Sequence, residues 1–123
     1  MANDGTLGDL ALLRDLVRQF VDERDWDQFH TPKNLASALS VEAAELLEHF
    51  QWLQHGRFEE LGEAKLREVR HEMADVLVYL VRLADKLDVD LFAAVQEKMV
   101  LNRAKYPAEQ VRGDARKYDE YKS

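Results

Sequence analysis

Apolar positions near the start of the chain fall at three- and four-residue steps: Leu10, Leu13, Val17, Phe20 and Val21. That spacing lines one face of a helix. Thr6 can cap it and the polar stretch from Asp22 to Asp27 ends it, so the pattern predicts a helix over residues 7–24. Thr31 followed by Pro32 is a second start signal, because proline in a first turn gives up an N–H that has no helical partner. Leu35, Ala38, Leu39, Leu46 and Phe50 continue the spacing and predict a helix over 32–54, closed by Gly56. Phe58 to Leu66 reads as a short turn of helix leading into a helix over 65–87 that is apolar nearly all round. Asp90 can cap a fourth helix, striped by Leu91, Val95, Met99 and Asn102 and stopped near Pro107. Residues 108–123 are polar, contain Gly113, and are expected to form a mobile tail. The expected fold is all-α, of four-helix-bundle type.

Five Gly and two Pro in 123 residues suit long helices rather than a turn-rich β fold. The length fits one domain over residues 1–123, although helical chains this small often complete their core by oligomerising. With no Cys, neither a disulfide framework nor a thiolate metal site is possible. Residues 1–13 lack a basic region followed by an apolar run, which points to a cytoplasmic protein. The most apolar segment, Met73 to Ala84, is interrupted by Asp75 and Arg82, so no membrane span is expected. A net charge of -7 repels a phosphate backbone and argues against a nucleic-acid polymer as partner. A small phosphorylated ligand would need bound cations. Basic residues gather late in the chain, at Lys98, Arg103, Lys105, Arg112, Arg116 and Lys117, which makes that quarter the better one to face phosphate.

Glu42 with Glu45, and Glu72 with Asp75, place two carboxylates three residues apart, hence on one helix face about a turn apart. Spacing alone is weak: in a chain this acidic, chance gives about five such pairs. Setting separates these two from the others. Glu42 shares a stripe with Leu35, Ala38, Leu39 and Leu46, and Asp75 interrupts the apolar run from Met73 to Val81. Carboxylates withdrawn from water must be neutralised, paired or metal-bound. Four converging acids with few bases nearby point to a cation, and oxygen-only ligands select a hard ion such as Mg²⁺, which shares its shell with substrate phosphates. The plain alternative is surface charge in salt bridges with Arg67, Arg70 or Arg82.

Several segments in order, Asp25 to Leu35, Glu42 to Glu45, Phe50 to Trp52, Glu72 to Asp75 and Asn102 to Pro107, closely resemble the dCTP pyrophosphatase branch of the MazG-like all-α nucleotide pyrophosphatases. Arg112, Gly113, Lys117 and Tyr118 extend the match, which covers residues 7–118. The resemblance maps Glu42, Glu45, Glu72 and Asp75 onto the family's Mg²⁺ ligands, and the 26 residues between Glu45 and Glu72 fit its usual gap. Val41 stands where many relatives carry a further Glu, which looks like the dCTP pyrophosphatase branch. The implied reaction is attack of water on the α-phosphorus of a nucleoside triphosphate, dCTP or a 5-modified dCTP, releasing pyrophosphate and the monophosphate, with Glu45 the acid that positions the water. The resemblance also implies a homo-oligomer, a dimer of dimers.

By the same resemblance, Trp26, Asp27, Gln28, Phe29 and His30, with Trp52 and Tyr79, form the base pocket, where aromatic faces stack and polar edges read hydrogen-bonding groups. From the residues alone, Trp52 and Tyr79 fit core packing as well, though Tyr79 lies one turn after Asp75 and can share its face. Lys98 and Asn102, one turn apart on the fourth helix, could reach phosphate oxygens; with Arg103 and Lys105 they also fit an exposed basic face. Two other readings compete. A helical scaffold protein would leave the acids unexplained. A di-iron bundle could use Glu68 with His71, but needs a second such motif, which is missing.

Overall fold

The computed structural model describes residues 8–115, and among these every regular element is helical. α1 spans Asp9–Glu23, a single 3₁₀ turn Asp27–Phe29, α2 Pro32–Glu48, α3 Phe58–Lys86, α4 Leu91–Lys105, and α5 is one turn, Ala108–Val111. The all-α expectation holds. None of the described helices is long and apolar enough to cross a membrane. The chain separates into two compact units, one ending at Val89 and the other beginning at Asp90. In the first, α3 packs against both α1 and α2. Its buried apolar residues are Val17 and Val21 of α1, Leu35 of α2, and Val69, Val81 and Ala84 of α3.

Side-chain caps explain the starts of α2 and α4. The Thr31 hydroxyl accepts from the Asn34 backbone N–H at 3.1 Å with Pro32 in the first turn, and the Asp90 carboxylate accepts from the Ala93 N–H at 3.0 Å. α1 instead begins after Gly8, without a side-chain cap; Thr6 lies outside the described residues. α2 ends at Glu48, six residues before the expected limit. The cause lies in the following turn. The Glu60 carboxylate accepts backbone N–H groups of Gln54, His55, Gly56 and Arg57 at 2.9–3.3 Å, rewarding a non-helical path. Gly56 has φ +73°, and a Cβ there would stand 2.6 Å from the Phe50 ring, so only glycine fits. The break expected near residue 65 falls instead at Gly62, whose φ of 76° and ψ of 168° interrupt α3. Of the expected tail, Ala108–Val111 is a helical turn, while Arg116, Lys117 and Tyr118 lie outside the described residues.

Candidate functional site

α2 and α3 run side by side and each turns its acid pair to the other. One carboxylate oxygen each from Glu42, Glu45 and Glu72 lies within 4.8 Å of the other two, a spacing that a single cation could bridge. Asp75 is outside this trio, yet its charge acts on both Glu42 and Glu72. Glu42 is pushed up to about 7, first by a carboxyl–carboxyl hydrogen bond with Glu45, then by burial, then by the charges of Glu45, Glu72 and Asp75. Burial is the first cause raising Glu72, with Glu45 and Asp75 adding to it and His49 opposing.

No lysine or arginine among the described residues forms an ion pair with any of the four acids, so Arg67, Arg70 and Arg82 do not neutralise them. Glu72 Oε2 is buried without a hydrogen-bond partner. An orphaned buried carboxylate oxygen beside two like charges is the donor chemistry that a hard divalent cation satisfies. The residues therefore fit a metal. Close by, His49 Nδ1 is also buried and unpartnered, its nearest carboxylate being Glu68 Oε2 at 3.8 Å, too far for a hydrogen bond.

Beside the acids opens a cavity of about 540 Å³. Glu42, Asp75, Val78 and Tyr79 line it from α2 and α3; Leu16, Val17, Phe20 and Val21 line it from α1; Trp26, His30 and Arg82 complete it. The Trp26 ring meets Phe20 edge to face, with centroids 5.7 Å apart, and the Arg24 guanidinium covers Phe20 at 3.8 Å. An apolar, aromatic wall next to an acid cluster suits a flat heterocycle carried on a metal-bound anion.

Of the expected pocket segment, then, Trp26 and His30 face the cavity. Asp27 is committed elsewhere, accepting from Arg82 at 2.5 Å and Lys86 at 2.9 Å. Gln28 donates to the Asp25 backbone carbonyl and carboxylate, and Phe29 is exposed. Trp52 is 87% exposed and does not line the cavity, whereas Tyr79 does. Lys98 and Asn102 lie on α4, in the second compact unit. Sequence reasoning missed His49, the cavity-facing part of α1, and Arg82 as a cavity residue. The periodicity did carry a signal for Arg82, since Asp75, Tyr79 and Arg82 follow one another at helical steps of four and three.

A family model described as the MazG-like family matches residues 37–121 of this chain. The chain belongs to the MazG-like family. Human dCTP pyrophosphatase 1 is 46% identical over 110 residues, which are 88% of this chain and 65% of the human protein. The bovine dCTP pyrophosphatase 1 is 43% identical over 122 residues, 95% of this chain and 69% of that one. This MazG-like chain thus spans about two thirds of the length of the curated relatives it matches. A crystal structure of a pyrophosphatase from Archaeoglobus fulgidus has 44% identity and a TM-score of 0.77, covering 85% of this chain and 98% of that one.

Proposed function

We propose that the protein is a nucleoside triphosphate pyrophosphatase acting on dCTP or 5-modified dCTP, yielding the monophosphate and pyrophosphate in the cytoplasmic nucleotide pool. One observation carries the reading: the acids Glu42, Glu45, Glu72 and Asp75 gather on α2 and α3 with no described lysine or arginine paired to them, and two of them, Glu42 and Asp75, line an aromatic-walled cavity sized for a nucleobase. The curated relatives named dCTP pyrophosphatase 1 support the substrate.

In this reading Glu42, Glu45, Glu72 and Asp75 hold Mg²⁺, and residues 1–123 act as a single functional domain. A cation bound there would supply charge neutralisation for the phosphates and a lowered pKa for the water used in attack on the α-phosphorus. Glu45 takes the proton of that water and orients its lone pair, a role supported by its place beside Glu42 and Glu72 in the acid cluster. Trp26, braced by Phe20, and Tyr79 stack or border the base, while Leu16, Val17 and Val21 exclude water from it. Lys98 and Asn102, one turn apart on α4, are carried over from the family resemblance alone as phosphate-binding residues.

A homo-oligomer of dimers completes the assembly. Its support is the set of large apolar side chains left exposed away from the cavity, among them Leu47 at 61%, Phe92 at 62% and Val100 at 63%. The test is pyrophosphate release from a panel of canonical and 5-substituted triphosphates, with Mg²⁺ and with EDTA. Mg²⁺-dependent release favouring dCTP or its analogues is the expected result; no release from any triphosphate would overturn the proposal.

A further inference from the structure

Among the described residues of the first unit, Arg82 is the buried charged one, only 5% exposed, and it lies at the cavity wall. Each arm of its guanidinium has a partner. Nε donates to His30 Nδ1 at 3.1 Å, Nη2 to Asp27 Oδ1 at 2.5 Å, and Nη1 to Asp85 Oδ2 at 3.4 Å. Its two acids are tied in turn: Arg18 grips Asp85 with two hydrogen bonds of 2.5 and 2.7 Å, and Lys86 holds Asp27 at 2.9 Å. Three cations therefore share two carboxylates around a single imidazole.

That arrangement decides the state of His30. Arginine offers only N–H donors and keeps its charge, so the nitrogen facing it must accept. A neutral imidazole has one accepting nitrogen. With Nδ1 spent on Arg82, the proton sits on Nε2, and the ring can offer the cavity an N–H but no acceptor. Burial and then the Arg82 charge push the His30 pKa down, which keeps the ring neutral.

We infer that Arg82 is a positioning residue for specificity: it locks His30 as the Nε2–H tautomer, so that the cavity selects a base presenting a hydrogen-bond acceptor, such as the O2 or N3 edge of cytosine. This rests on the reading of the cavity as a nucleobase site. The discrimination arises because a base lacking the acceptor leaves a partly buried N–H unpaired.

Two measurements on the full chain test it. The first is long-range ¹H–¹⁵N NMR of the imidazoles, with His30 assigned by its loss in His30→Gln. The wild type should show an unprotonated Nδ1 and a protonated Nε2 at His30; in Arg82→Met and Arg82→Lys this signature should give way to mixed tautomers. Lysine keeps the charge beside Asp27 and Asp85 but lacks the Nε donor, so it carries the test if the Met variant does not fold. An unchanged His30 signature in a folded variant would overturn the lock.

The second is steady-state kinetics with dCTP, 2-thio-dCTP and 3-deaza-dCTP. The wild type should raise KM about tenfold for at least one analogue, with kcat little changed, and Arg82→Lys should erase that difference by raising KM for dCTP itself. Wild-type turnover of dCTP without discrimination against either analogue would overturn the specificity role. If no triphosphate is hydrolysed at all, it is the functional reading that fails, and the NMR result still decides whether Arg82 sets the tautomer.

Discussion

The two ends of the cavity handle charge in opposite ways. At one end Glu42, Glu45, Glu72 and Asp75 stand together with no described base paired to them, so that Glu42 holds its proton up to about pH 7. At the other, Arg82, Arg18 and Lys86 are matched against Asp27 and Asp85 by hydrogen bonds of 2.5–3.4 Å, and both Asp side chains are held below their ordinary pKa: Asp27 chiefly by its hydrogen bond with Lys86, Asp85 chiefly by that with Arg18. Charge satisfied within the chain holds geometry, whereas charge left unsatisfied is a standing affinity for something the chain lacks. The same residue types therefore carry structure at one end and chemistry at the other.

The contrast is broken most severely by deleting an acid. Glu42→Ala or Asp75→Ala should lower kcat by at least about 1,000-fold, equivalent to roughly 4 kcal/mol of barrier, with the helical circular dichroism preserved; near-wild-type turnover in both variants would remove the metal role.

Deleting from the paired end should act on stability instead. Arg82→Ala leaves Asp27 and Asp85 without their buried partner and should cost about 3 kcal/mol in urea unfolding. Above pH 7, where Glu42 is ionised, Glu42→Gln should by contrast raise the stability of the metal-free protein by removing repulsion. If both substitutions destabilise alike, the two ends do not differ as described.

Adding divalent metal sharpens the comparison. At about 100 times its Kd, Mg²⁺ should stabilise the wild type by roughly 2.7 kcal/mol. The gain should vanish in Glu72→Gln and persist in Asp27→Asn, as read by thermal melting.

The smallest effect is the pH dependence without metal. Glu42 has an ordinary pKa of 4.5 and is raised to about 7 in the fold, so between those values the folded chain binds more protons than the unfolded one. Stability should accordingly fall as pH rises from 4.5 to 7 and level off above. Asp27 and Asp85 are shifted the other way; their contribution is present above the ordinary carboxylate range and is lost as pH falls below it. Melting temperature in EDTA should therefore rise from pH 7.5 towards pH 5, opposed in part below pH 6.5 by His30, whose pKa is lowered in the fold, and then drop on further acidification. Saturating metal should reverse the first trend, because its ligands must be deprotonated, and Glu42→Gln should flatten it.

Much of this was legible in the chain itself. Periodic apolar residues determined the helices, and Thr31, Pro32 and Asp90 the starts of α2 and α4, because helix period and capping depend on neighbours within a few positions. The two acid pairs could be selected because a carboxylate on an apolar stripe is anomalous wherever that stripe packs. What sequence could not settle was contact between distant positions. The end of α2 depended on Glu60 reaching back to four amides and on Phe50 lying over Gly56. Asp27 was drawn away from the cavity by Arg82 and Lys86, 55 and 59 residues further on. The state of His30, which turns on a guanidinium 52 residues distant, was likewise decided only when α3 packed against the segment joining α1 and α2. Local order follows from residue identity and spacing, but who pairs with whom, and hence which charges are left over, is a property of the packed molecule.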